Sequence, residues 1–413
     1  MGACLVVYIA AIIFYYYIAL QLSIKNNPAR GCARGRRAGD PTSMSLVCIE
    51  KIHQTLSAAV ELLLSRAGLP DSLSGESILL KPNLFEPLSH ITGQTTSPFL
   101  VEAVMQCCRR RGARAVTVGE GPSYFTADHD LRACFTTTGI SEVCDRCGVA
   151  WVLFDEHPYR TFKDASPDLP AEFKISEHAF VHDRIINLPV PKTHYLTTVS
   201  VAMKNLKGFV KREHKPLFHR VGLEGAVVAL NTIIRPFMNV VDFTTQPGQT
   251  APFVLAGKDI VAVDSVSTAL MGLSPGEIRT IRLGFQAGLG EMRFEGIDIR
   301  GEDIKGLRMQ YELPAQWLVK TFPDLTIRGE DTACSGCIIP LFSSLRQLAQ
   351  ESRVFKHPLT VALGTTPVTA GGALITVGAC ASNSVETEHR VGGCPPSRDE
   401  IEKALLVLTE QRS

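Results

Sequence analysis

Four cysteines near the carboxyl end and one lysine- and histidine-rich segment hold most of the reactive side chains of this 413-residue chain. Cys334 and Cys337 are spaced Cys-x2-Cys, Cys380 lies in Gly-Ala-Cys, and Cys394 lies in Gly-Gly-Cys-Pro-Pro-Ser. A close pair followed by two separated singles is a set of soft thiolates suited to zinc or to an iron–sulfur cluster. Small residues beside Cys380 and Cys394 let backbone N–H groups approach sulfur, which tunes a cluster's potential. Zinc sites more often use two Cys-x2-Cys knuckles, and Cys144 and Cys147 form a second one, so a Cys4 zinc site is the competing reading. Cys48, Cys107, Cys108 and Cys134 lie in apolar or helical surroundings and read as small buried hydrophobes.

The stretch Ile375-Thr-Val-Gly-Ala-Cys380-Ala-Ser-Asn, with Gly-Gly-Cys394-Pro-Pro-Ser and a helix behind it, resembles the cluster-binding half of NADH-quinone oxidoreductase and [NiFe]-hydrogenase small subunits. The resemblance spans about residues 331–413. It implies a [4Fe-4S] cluster on Cys334, Cys337, Cys380 and Cys394 that exchanges electrons with an unidentified donor or acceptor. The local pattern agrees: Ala373 to Val377 reads as a buried strand that delivers Cys380 at its end. Ser397 and Glu400 read as a capping box for a helix running to about Leu408.

The second reactive segment, residues 189–219, contains Lys192, His194, Lys204, Asn205, Lys207, Lys211, Arg212, His214 and His219. Its cations make a basic pocket for a carboxylate or phosphate, against the plainer alternative of a solvated helix face. Lys204, Lys207 and Lys211 share one face if the segment is a continuous helix. Histidines among cations are driven toward the neutral form, which suits a base, a proton donor or a metal ligand.

The elements that must position these groups alternate apolar strand-like runs with helical patterns from residue 45 to about 300, the pattern of an α/β domain with a largely parallel, doubly wound sheet. Strands are expected at 45–50, 77–80, 115–118, 150–154, 184–188, 239–242 and 259–264, and helices at 53–67 and 96–110. Lys81, Asn83, Glu86, Glu120, Asp155, Lys192, His194, Asp242 and Asp264 then follow strand ends, where open α/β sheets bind ligands. For Asp242 and Asp264 a helix cap is an equal reading.

The strings Lys81-Pro-Asn83, Gly119-Glu120-Gly, Pro191-Lys192-Thr-His194 and Met203-Lys204-Asn205-Leu-Lys207-Gly208 resemble the DUF362 family over about residues 46–300. Many members of that family carry iron–sulfur modules, but the family has no defined chemistry. The resemblance makes Lys81, Asn83, Glu120, Lys204, Asn205 and Lys207 candidate substrate-binding residues beside Lys192 and His194 as candidate catalytic ones. The ferredoxin-type cysteine insert common in that family is absent from this sequence.

Composition narrows the function. A net charge of +1 gives no drive toward nucleic acid. No Gly-x-Gly-x-x-Gly or P-loop motif indicates a nucleotide. The expected organisation is an apolar segment and linker at 1–43, an α/β domain at 44–300, a connector at 301–330 and a small α/β iron–sulfur domain at 331–413. Residues 4–22 are long enough to span a membrane and precede four arginines, so the protein is expected in the cytoplasm, or anchored facing it if that segment is translated. Together these features suggest an iron–sulfur oxidoreductase acting on a small anionic substrate. An electron-transfer subunit, a non-redox enzyme and a zinc protein are the alternatives.

Overall fold

In the computed structural model, residues 44–411 are described apart from 124–130, 165, 247, 331, 370 and 371. The apolar stretch at 4–22 lies outside the described residues. No helix among the described residues is long and apolar enough to cross a membrane.

Strands β1 (Ser45–Lys51), β2 (Ser77–Pro82), β3 (Ala115–Glu120) and β4 (Ala150–Leu153) come first, followed by a hairpin of β5 (Tyr159–Lys163) and β6 (Glu172–Ser176). Next are β7 (Arg184–Leu188), a second hairpin of β8 (Lys192–His194) and β9 (Thr198–Ser200), and then β10 (Met238–Phe243), β11 (Phe253–Gly257) and β12 (Ile297–Gly301). Eight of these form one sheet in the order β12-β1-β11-β10-β7-β2-β3-β4, with β11 the strand that runs against its neighbours. Alternating side chains supply two cores: Val47, Ile49 and Leu79 enter one, and Cys48, Ile78 and Leu80 enter the other. Helices cover both faces, as a mostly parallel sheet requires. The fold is therefore the doubly wound α/β arrangement expected.

From β2 the chain steps outward through β3 and β4, then returns to lay β7 on the opposite edge of β2. The strand order reverses at β2 and β7, the position beyond whose carboxyl ends doubly wound sheets form their ligand crevice. Lys81 and Asn83 leave β2 there, Glu120 ends β3, and Lys192 follows β7.

A second sheet, β13-β15-β16-β17, is formed by β13 (Leu325–Arg328), β15 (Leu359–Ala362), β16 (Ala373–Val377) and β17 (His389–Val391), all parallel. The flanking strands β14 (Arg353–Phe355) and β18 (Thr409–Gln411) pair with each other. The helices Ser335–Gln350 and Arg398–Val407 pack on this sheet around Leu341, Leu345 and Ile401.

Several local expectations fail for identifiable reasons. Residues 259–264 are not a strand: the Asp259 carboxylate accepts from Val261 N at 3.0 Å and Ala262 N at 2.9 Å, which starts the helix Ile260–Leu270 despite its β-branched run. The sheet position is taken by β11. The stretch 301–330 carries the helix Pro314–Thr321 and the strand β13, so it is not simply a connector. The helix carrying Lys204 ends at Asn205, and Lys211 is drawn away because its N–H donates to the Lys174 carbonyl at 2.9 Å. The Lys211 ammonium pairs with Glu213 at 2.7 Å. Ser397 does precede the last helix, but its side chain makes no cap bond.

Candidate functional site

The floor of the crevice is a buried ion pair. Lys81 Nζ donates to Glu120 Oε2 at 2.7 Å and to the Pro82 carbonyl at 3.0 Å. Glu120 also accepts from Leu84 N and Gly121 N. Burial pulls the Lys81 ammonium below its ordinary range, and the Glu120 charge opposes that pull. The backbone passes so close above this pair that a Cβ on Gly208 would lie 2.1 Å from Glu120 Oε1 and 2.6 Å from Lys81 Nζ. Glycine is required there, which explains the Leu-Lys-Gly string. With both side chains buried and held by each other, Lys81 and Glu120 position the site's floor and are closed to direct substrate contact.

The walls are built by Asn83, Lys192, His194, Lys204 and Lys207. Lys192 Nζ donates to Asn83 Oδ1 at 3.2 Å and to the Gln94 carbonyl at 3.3 Å, and it lies 3.9 Å from the Phe85 ring centroid. Asn83 is itself fixed by its bond to the Gln94 carbonyl at 2.7 Å. Burial pushes the Lys192 ammonium down to about 7, with Glu86 and Glu120 acting against it. Burial and then the charges of Lys207 and Lys192 hold Lys204 well below the usual lysine range, and burial followed by Lys215 does so for Lys207. Glu224, the acid nearest in effect to Lys204, faces Arg279. Asn205 does not open to the crevice. Its amide donates to Asn187 Oδ1 at 2.8 Å, and Asn187 donates to Asn239 Oδ1 at 3.0 Å, a buried strap across the strand ends.

His194 has a defined tautomer. Its Nδ1 accepts from Leu196 N at 3.1 Å and Thr197 N at 3.3 Å, so the ring proton sits on Nε2. Burial, and then the charges of Lys204, His219, Lys207 and Lys192, keep the ring neutral well below its ordinary range. A neutral imidazole with Nε2–H is a hydrogen-bond donor; in this state it is neither a base nor a metal ligand through Nδ1.

The cysteines meet this crevice. Cys334, Cys337 and Cys394 line one pocket with Pro216, His219 and Arg220, and Cys380 and Cys394 are near enough for their charge to raise Cys337. Cys334 precedes the 16-residue helix Ser335–Gln350. Its thiol is pulled below the ordinary thiol range by the Cys337 hydrogen bond and by the Gly336 and Cys337 N–H groups, with Arg220 adding to this. Two glycines leave room for sulfur: a Cβ on Gly378 would lie 2.3 Å from Cys337 Sγ, and one on Gly336 would lie 3.3 Å from Cys334 Sγ. No three His, Cys, Asp or Glu side chains converge closely enough to hold one metal ion among the described residues. Cys144 is buried in the core behind β2 to β4, and Cys147 accepts from Gln106 Nε2.

His219 joins the two halves. Its Nε2 is in close contact with Lys207 Nζ, its ring faces the cysteine pocket, and burial beside Lys207 and Lys204 pushes it down to about 2. In the sequence His219 is one more member of the basic segment, and nothing in its spacing marks a partner more than a hundred residues away. Asp264 neither follows a strand nor caps its own helix, whose cap is Asp259. From mid-helix it accepts from Ala202 N at 2.7 Å and Met203 N at 3.2 Å, holding the turn that carries Lys204. Burial raises that carboxyl to about 7. Asp242 caps the helix after Ser97, accepting from Ser97 N at 2.6 Å.

A family model described as "Domain of unknown function (DUF362)" matches residues 78–269, from β2 through the helix that carries Asp264. The thylakoid-associated protein sll1697 of Synechocystis sp. is 26% identical over 239 residues, covering 53% of this chain and 72% of that protein. Among solved structures, the lactate racemase apoprotein from Thermoanaerobacterium thermosaccharolyticum matches at 12% identity with a TM-score of 0.39, covering 58% of this chain and 60% of that one. The matched family region thus contains every crevice lysine and His194, whereas the four carboxyl-terminal cysteines lie beyond it.

Proposed function

We propose that this protein is an iron–sulfur oxidoreductase whose crevice binds a small anionic substrate beside a [4Fe-4S] cluster held by Cys334, Cys337, Cys380 and Cys394. The observation that carries this reading is the shared wall: His219 faces Cys334, Cys337 and Cys394 on one side and Lys207 on the other. When bound, the cluster would supply one-electron exchange. Lys204 and Lys207 attract the anion. His194 donates Nε2–H to a substrate oxygen. Lys192, whose ammonium releases its proton near neutral pH, gives or takes the proton that accompanies the electrons. Exposure of Cys380 and Cys394 gives electrons a route to a partner, which also supports a second reading as an electron-transfer subunit.

Anaerobic purification of the full chain, with iron, zinc and acid-labile sulfide counted beside EPR spectra, tests the proposal. About four irons and four sulfides, lost in Cys394→Ser, are expected for one such cluster. One zinc without sulfide would refute it. Lys192→Ala then separates the two readings: an oxidoreductase loses turnover but keeps its spectrum, and a carrier keeps both its spectrum and its electron-transfer rate.

A further inference from the structure

A second pocket, of about 440 Å³, lies between the β8–β9 hairpin, the chain before the helix Pro314–Thr321, and the end of the helix Ser335–Gln350. That volume is within the usual range for small-molecule sites. Thr193 and Tyr195 line it, whereas Lys192 and His194, the alternate residues of β8, belong to the crevice. An occupant would therefore rest on the reverse of the strand that arms the crevice.

The lining defines a chemistry. The Arg346 guanidinium stands over the Tyr195 ring, 5.6 Å from its centroid. Tyr195 is in turn fixed by Phe342 at 4.0 Å between centroids. That cation–π contact keeps the guanidinium at the pocket wall, where its fork of donors matches a carboxylate. Glu312, the acid at the rim, is paired with Lys320 at 3.2 Å. Trp317 supplies an indole wall and Gln350 a side-chain amide. We infer that this pocket binds a flat organic anion, an aromatic carboxylate, with Arg346 on the carboxylate and Trp317 against the ring.

Benzoate titrated into the full chain tests the inference. Trp151 and Trp317 are the chain's two tryptophans, so Trp151→Phe leaves the pocket indole as the fluorophore. Saturable quenching with a dissociation constant on the order of 1 mM is expected for a ligand of this size at an open site. Arg346→Gln should weaken it about tenfold or more, since one charge-assisted contact is lost. Gln350→Glu, which sets a like charge in the pocket, should weaken it as well and serves if Arg346→Gln fails to fold. Lys204→Met should leave it unchanged. Absence of saturation, equal binding in both pocket variants, or loss in Lys204→Met would overturn the site. Cyclohexanecarboxylate binding as well as benzoate would overturn the requirement for a flat ring.

Discussion

Replacing Glu120 by Gln would test whether the floor of the crevice is held by a charge pair. The Lys81 side chain is 0% exposed and that of Glu120 is 4% exposed. Glutamine keeps the size and one acceptor, so the change removes a negative charge from beside a buried ammonium. Breaking such a pair from one side costs about 3–5 kcal/mol. The ammonium has one escape, losing its proton. Taking a lysine of ordinary pKa about 10.4 to neutral costs about 1.4 kcal/mol per pH unit, which caps the charge part of the loss near 4.6 kcal/mol at pH 7. At pH 9 the same cap is about 1.9 kcal/mol. Burial already lowers the Lys81 pKa in the folded state, so its contribution weakens as pH falls below the unfolded value and recovers as pH rises toward it. Removing Glu120 enlarges that window. Urea unfolding at pH 7 and pH 9, followed by Trp151 in a Trp317→Phe background, reads the effect locally, because Glu120 is in register with Leu153 on the strand that carries Trp151. A loss of roughly 3–4.6 kcal/mol at pH 7 that shrinks below about 2 at pH 9 is expected. A loss under about 1 kcal/mol, or one equal at both pH values, would refute a charged floor.

Lys204→Met should raise stability by about 0.5–2 kcal/mol, because it removes a partly buried cation whose neighbours include Lys207 and Lys192. Folded-state values below the lysine norm mean that the wild type gains stability as pH rises from 7 to 9; the variant should gain less, and inorganic phosphate should stabilise it less at pH 7. Thermal melts check all three, and a destabilised variant with an unchanged pH profile counts against an uncompensated lysine cluster. Gly378→Ala places a Cβ 2.3 Å from Cys337 Sγ at a φ of +93°. It should cost about 1–3 kcal/mol in the small sheet and lose the iron of the proposed cluster while the Trp151 signal stays native. Full iron content in that variant would remove the cysteine pocket as the binding site.

The large sheet was legible because its signals are local. β2, β3 and β7 are short apolar runs that end in polar residues, and the pieces of sequence that carry Lys81, Asn83, Glu120 and Lys192 are each attached to one of them. Fold-level reasoning could therefore bring these residues to one edge. It could not separate the roles of Lys81 and Glu120 from those of Lys192 and Lys204, because burial depends on what passes overhead. Gly208 brings the backbone down onto the first pair, whereas Lys192 and Lys204 remain only partly buried. The error at 259–264 has the same origin: a short continuous apolar run is compatible with a strand or a buried helix, and the Asp259 side chain decides between them.

What sequence could not show is that the two reactive clusters share a wall. The cysteines and the crevice lysines lie more than a hundred residues apart in the chain, and each set is intelligible alone. Their meeting depends on apolar contacts with no chemical signature: Tyr195 at the tip of the β8–β9 hairpin packs on Phe342, on the same helix as Cys337. That contact ties the strand bearing Lys192 and His194 to the helix that begins at Cys334. Both the cysteine pocket and the Arg346 pocket open on that helix, one near each end. Perturbing either pocket therefore acts on an element that reaches the other, and the hairpin is the part of the large domain that would feel both.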